Sequence, residues 1–264
     1  MKICSPAVLH TVFVLTISVA SQASAQAPQK TPSVVNPPPT AQDWADLGKF
    51  PDWSGVWNPK ISDQDAQVKT NPPPWNDVAA KKIEDMFAEE KAGRPRLIFS
   101  NCLPEAHPSW MLVTHNAMEI LFTPGRVTML GESDGNRIRR IYTDGRAHSN
   151  ISDPTFHGHS IGRWEGDTLV VDTTNFNDKT RLRYNGSENT YAVERFTRVS
   201  DRLIDYQYTI TDPTVFTRPF TVAIPMPRRD DKIFEYACHE GNHSMVGILG
   251  GARAEEKAVA SSVR

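Results

Sequence analysis

The stretch Gly158-His159-Ser160-Ile161-Gly162-Arg163-Trp164-Glu165-Gly166-Asp167-Thr168-Leu169-Val170-Val171-Asp172-Thr173 constrains the fold most. It is two short strand-like runs joined by Glu165-Gly166-Asp167, a turn that suits an antiparallel hairpin. From Ser109 onward the same alternation of apolar and polar residues recurs, broken by turn signals roughly every ten residues. The spacing predicts strands over 110–114, 118–123, 126–131, 137–143, 160–165, 168–173, 191–199, 203–211, 215–224 and 232–238. Thr123-Pro124-Gly125, Ser133-Asp134-Gly135-Asn136 and Ser200-Asp201-Arg202 read as further hairpin turns. About ten antiparallel strands in one mostly β domain imply a closed or nearly closed, lipocalin-like barrel, because an open sheet would leave long unpaired edges.

Ahead of the strands, Asp52-Trp53-Ser54-Gly55-Val56-Trp57 reads as a first short strand or an aromatic plug. A helix is expected over 76–91, capped by Asn76, with Val78, Ile83, Met86 and Phe87 on its apolar side and Gly93 and Pro95 ending it. Residues 242–258 suit a C-terminal helix or loop.

Residues 1–25 read as a signal peptide: Lys2, an apolar run over 7–20, and Ala23-Ser24-Ala25 as a small-residue cleavage site. The run is shorter than the roughly twenty residues that span a bilayer, so export to the periplasm or beyond, with cleavage after Ala25, is the expectation. Residues 26–50, rich in proline as far as Thr40, read as a flexible linker, and 51–264 as the barrel domain. The balance of 29 Lys and Arg against 31 Asp and Glu argues against a nucleic-acid partner. No later run reaches membrane-spanning length. Cleavage would leave Cys102 and Cys238, which in an oxidising compartment form a disulfide or else stay as two buried thiols.

The chain resembles a large family of exported bacterial proteins of unassigned function. The resemblance runs from about Ala79 to Asn242 and rests on several motifs. They are Cys102-Leu103-Pro104, Thr123-Pro124-Gly125-Arg126-Val127, Arg139-Arg140-Ile141-Tyr142-Thr143-Asp144-Gly145-Arg146, the Ser160–Val171 part of the hairpin above, and Tyr236-Ala237-Cys238-His239-Glu240-Gly241-Asn242. After Cys102-Leu103-Pro104 the family has a glycine-containing turn, where this chain reads Glu105-Ala106-His107-Pro108. The resemblance implies export and a β-rich domain; it carries over no site residues.

Splitting the strands into faces turns Ile204, Tyr206, Tyr208 and Ile210 inward, with Phe216, Arg218, Phe220, Val222 and Ile224 on the next strand. Phe234, Tyr236 and Cys238 follow, then Ile138, Arg140 and Tyr142, and Val170 with Asp172. Over 191–199 either Ala192, Glu194, Phe196 and Arg198 or the opposite set faces in. Ionisable groups converging inside a barrel are either structural ion pairs or the lining of a wetted pocket. In the second case Arg140 and Arg218 anchor an anion, Glu194, Tyr206, Tyr208 and Trp164 line the site, Tyr142 or His159 moves a proton, and Asp172 orients the histidine. His148, after a strand end, suits a general acid or base or a plain surface position. His157 and His159 are either half of a metal site, to which His239 and His243 add, or solvated loop side chains, and the usual metal and cofactor motifs are missing. Trp53, Trp57 and Trp164 either line a ring-binding surface or fill the core.

The sequence is therefore read as an exported, cofactor-independent lyase or isomerase, decarboxylation included, with no metal ligands assigned. It would act by acid/base chemistry on a small aromatic or carbonyl-bearing molecule. Its rivals are a non-catalytic barrel that binds a hydrophobic small molecule and a secreted module that uses its tryptophans at the surface. The oligomeric state is left open.

Overall fold

A computed structural model describes residues 38–93, 106–109, 117–132, 137–148, 153–179, 186–235 and 244–262. The chain divides after Pro38, and the architecture below is that of Pro39–Arg264. In order come helix α1 (Ala41–Asp46) with a 3-10 turn (Leu47–Lys49), β1 (Gly55–Trp57), α2 (Ile61–Thr70) and α3 (Asp77–Lys91). Strands β2 (Met118–Thr123), β3 (Arg126–Gly131), β4 (Ile138–Tyr142), β5 (His159–Glu165) and β6 (Thr168–Thr174) follow. The described elements end with β7 (Tyr191–Ser200), β8 (Leu203–Thr211), β9 (Phe220–Arg229) and α4 (Ser244–Ser262).

The nine described strands close into a barrel in chain order, β9 returning to β1 through Val56↔Arg229 and Trp57↔Arg228. Neighbours are antiparallel except β4 and β5, which run parallel with Ile141 opposite Ser160. The barrel is thus mixed rather than wholly antiparallel. The long connection between Tyr142 and His159 is the reason, since a crossover of that kind can deliver a parallel neighbour and a tight turn cannot.

The interior is filled from every side. Met118, Ile120, Val127, Met129, Ile141, Leu169, Val171, Phe196, Ile204, Tyr206, Tyr208, Val222, Ile224 and Met226 are buried in one cluster with Trp53 and Trp57. Trp57 donates its indole N–H to the Trp53 carbonyl at 2.7 Å, locking the two rings below the first strand. Ala192, Glu194 and Phe196 supply the inner face of β7.

Helix α2, absent from the sequence expectation, covers an edge. β1 reaches only the last residues of β9, so the stretch of β9 before them faces no strand on that side. The Gln67 carboxamide fills the gap like a piece of strand: its Oε1 accepts from Ala223 N–H at 3.0 Å and its Nε2 donates to the Ala223 carbonyl. Asn71 Nδ2 donates to the Thr221 carbonyl at 2.9 Å. Since Ala223 aims its backbone groups outward here, Pro225 and Pro227 fall on the side where no ladder N–H is required. That is why β9 continues past Ile224 to Arg229; it begins at Phe220 rather than at 215.

Several expectations are corrected. On β4 the buried residues are Arg139 and Ile141, while Arg140 and Ile138 are exposed and Tyr142 is half-buried on the outer face. On β6 the inner residues are Leu169, Val171 and Thr173, so Asp172 points outward. Arg218 is exposed in the loop before β9, its Nη1 3.4 Å from the Pro219 carbonyl. Residues 232–235 form no strand and Phe234 is 70% exposed. The linker reading does not extend to residue 50, because Thr40 and Asp43 form a capping box that starts α1. The segments at 1–25 and 110–114, and Cys102, Tyr236, Cys238, His239 and His243, lie outside the described residues.

Candidate functional site

Five successive strands each contribute one polar side chain to the barrel interior. Arg139 on β4 donates through Nη1 to Glu194 Oε1 on β7 at 2.9 Å and through Nη2 to Oε2. Its Nη2 also donates to Thr173 Oγ1 on β6 at 3.0 Å, and its Nε and Nη2 reach Ser160 Oγ on β5 at 3.3 and 3.2 Å. Tyr206 on β8 donates its hydroxyl to Glu194 Oε1 at 2.8 Å. Arginine and glutamate are 2% and 0% exposed. Burial, then the Glu194 carboxylate, push the Tyr206 phenol well above its ordinary range and keep it a proton donor. Arg139 and Glu194 form a buried ion pair bonded by the other members of the belt, which is the structural outcome of the two open at the sequence level.

Beside it lie His107 and His157, ring centroids 5.1 Å apart. Burial first, then the positive field of Arg139 and its neighbours, holds His107 well below the ordinary imidazole range. Burial followed by Arg137 and Arg139 brings His157 down to about 4. Both rings are neutral at pH 7.

A second cluster stands on the outer face at the β4–β5 junction. His159 stacks on Tyr142 with ring centroids 5.5 Å apart, and its Nδ1 is 2.9 Å from Nδ1 of His148, so one ring donates and the other accepts. Arg146 lies over Tyr142 at 3.9 Å while its Nε and Nη2 bind Asp144 at 2.5 to 3.0 Å. Burial lowers both histidines; a positive Arg146 adds to this at His159, and Asp172 opposes it at His148. Asp172 itself bonds Arg163 Nη1 and the Tyr191 hydroxyl, each at 2.9 Å, and so does not orient either histidine.

His157 and His159 do not share a side. Gly158 between them has φ +65°, which breaks the strand alternation and sends one ring to His107 and the other to Tyr142. Among the described residues no three His, Cys, Asp or Glu side chains converge as a metal site.

The third feature is a cleft of about 220 Å³ between the α1 segment and the β2–β3 hairpin. Phe50, Phe122 and Trp164 give it an aromatic wall, with Arg126 and Thr143 beside them and Asp43 and Asp46 on the helical side. Trp164 is stacked with Phe50 at 4.7 Å and 18°, and lies 6.2 Å from Phe122. Trp53 meets the rings of Trp164 and Phe122 edge-on at 5.2 and 5.8 Å.

The structure thus brings together Tyr142, His148 and His159 on the outer face, Glu194, Tyr206 and Tyr208 inside, and Trp164 at the cleft. It places Arg140 and Arg218 in none of the three, and Asp172 contributes only to the field at His148 while bonding Arg163 and Tyr191. Sequence reasoning missed Arg139, Arg126, His107 and Phe50. The inward position of Arg139 follows from its register opposite Met129, a buried residue of β3.

Compared with known proteins, the chain matches no family model, no curated protein and no solved structure. The reading of its function therefore stands on these three places in the fold.

Proposed function

We propose that the protein is an exported β-barrel that binds a small aromatic molecule, with the cleft under α1 as its site. The observation that carries this is the aromatic wall of Phe50, Trp164 and Phe122 around an open volume. Aromatic walls with a few polar groups are how proteins hold small apolar ligands. The interior charges speak against interior catalysis, since Arg139, Glu194 and Tyr206 are committed to one another. Export follows from the apolar run and small-residue site of residues 1–25 and agrees with the family resemblance. In the periplasm Cys102 and Cys238 are then joined as a disulfide.

Calorimetric titration with one-ring aromatic compounds tests the reading. Binding by the wild type that is lost in both Trp164→Ala and Phe50→Ala supports it; no binding heat from any of them overturns it.

A second reading keeps acid/base catalysis, as a lyase or isomerase, at Tyr142, His148 and His159. It is favoured by the 2.9 Å contact between two Nδ1 atoms, which fixes opposite tautomers in the two rings and leaves one Nε2 as a proton acceptor and the other as a donor. Turnover of a ligand found by the titration, abolished by His159→Gln and by His148→Gln, would establish it.

A further inference from the structure

We infer that the cleft selects ring-bearing carboxylates and that Arg126 is the residue that selects them. The inference rests on the aromatic-binding reading above and adds a ligand class to it.

Arg126 opens β3, opposite Thr123 on one side and Tyr142 on the other, and borders the cleft. Its Nε is enclosed by the protein with no hydrogen-bond partner among the described residues, and no described carboxylate pairs with its guanidinium, so Nη1 and Nη2 are the atoms a ligand would meet. Four other arginines of the barrel contrast with it: Arg139 is held by Glu194, Arg146 by Asp144, Arg163 by Asp172 and Arg195 by Glu165. A guanidinium whose Nη atoms hold no carboxylate is a ready partner for a ligand carboxylate, which it meets in bidentate geometry.

The acids on the opposite wall are already engaged. Asp43 accepts from the Thr40 backbone and hydroxyl, each at 2.7 Å. Asp46 accepts from Gln42 and pairs with Lys49, each at 2.7 Å. Asp144, whose Cβ would be 3.1 Å from a side chain placed on Gly125, is taken by Arg146. Asp43 is thus held by neutral donors and Asp46 and Asp144 by cations, whereas the Arg126 guanidinium has no described carboxylate partner and stands beside the aromatic wall. A volume of about 220 Å³ lies below the roughly 300–1,000 Å³ of sites for drug-sized molecules. One ring with a short acidic substituent fits that size: the ring on Trp164 and Phe122, the carboxylate on Arg126.

The experiment titrates the full chain with benzoate, benzamide and benzylamine, which share a ring and differ in charge. Benzoate is expected to bind about tenfold tighter than benzamide, with benzylamine weakest. Arg126→Gln is expected to remove the advantage of benzoate over benzamide, and Arg126→Lys to retain part of it. Equal binding of all three, or tightest binding of benzylamine, overturns the role of Arg126 and leaves the aromatic site standing. Failure of all three to bind overturns the site and the inference together. A benzoate preference that survives in Arg126→Gln assigns the selection to another group and also overturns the inference.

Discussion

Arg139 and Glu194 meet inside the barrel across two intervening strands, guanidinium fork to carboxylate, with Ser160, Thr173 and Tyr206 filling their remaining hydrogen-bonding positions. Removing one charge strands the other in an apolar interior. Glu194→Leu or Arg139→Met is expected to cost about 3–5 kcal/mol in denaturant unfolding. The double variant should recover most of that loss, because both desolvation penalties disappear together. Additive losses in the double variant would show that the two residues act independently.

Gly158, just before β5, lies against the backbone of Thr174 at the end of β6. A Cβ on Gly158 would lie 2.5 Å from the Thr174 carbonyl oxygen and 2.9 Å from Thr173 Cγ2, and the residue also has φ +65°. Gly158→Ala therefore combines left-handed strain with a collision against backbone that cannot swing away. A loss of at least about 1–3 kcal/mol is expected. Its chemical-shift changes should centre on His157, His159 and Thr173, where the turn sets the ring directions.

How far the sequence could be read depends on whether the deciding contact was local. The limits of β2, β3 and β8 coincide with the expected segments because turn residues such as Pro124-Gly125 and Asp201 bracket each run. The inner face of β8 was equally legible, since Tyr206 and Tyr208 alternate with Asp205 and Gln207. On β4 the count misled: Ile138 and Tyr142 outnumber Ile141, yet the face is set across the ladder by Val127 and Met129 of β3. Asp172 failed for a related reason, because Leu169, Val170 and Val171 are all buried and the run alone does not say which parity faces in. Trp164, His148, His159 and Tyr142 were picked out as chemistry-bearing residues. Phe50, which stacks on Trp164, and Arg126, which borders the same cleft, come from other segments, which single-strand reading cannot join. The cleft depends on α1, whose start was signalled by the Thr40-x-x-Asp43 spacing inside a stretch read as linker.

Gln67 acts on the β9 edge through its amide alone, bonding both backbone groups of Ala223. Gln67→Ala leaves those groups without a protein partner on a strand edge. The expected cost is about 1–3 kcal/mol, together with faster concentration-dependent association, since an uncovered edge can pair with another chain. Gln67→Glu should lose the bond to the Ala223 carbonyl and keep the one from its N–H. Light scattering alongside unfolding midpoints distinguishes the edge effect from simple loss of stability.

His157 gives the fold a pH dependence separable from that of its carboxylates. Its folded value is about 4 against an ordinary 6.5, so the unfolded chain takes up the proton first as pH falls. The contribution is fully present above 6.5, declines between 6.5 and about 4, and is lost below. Within that window the slope from this residue approaches about 1.4 kcal/mol per pH unit. His107, held lower still by burial, acts in the same direction. The lowered carboxylates such as Asp144 and Asp212 lose their contribution only at more acidic pH, as they protonate through values below 3.8. Unfolding midpoints measured from pH 7 to 4.5 should therefore fall more steeply in the wild type than in His157→Gln. Equal slopes in the two proteins would mean that His157 is protonated as easily in the fold as in the open chain.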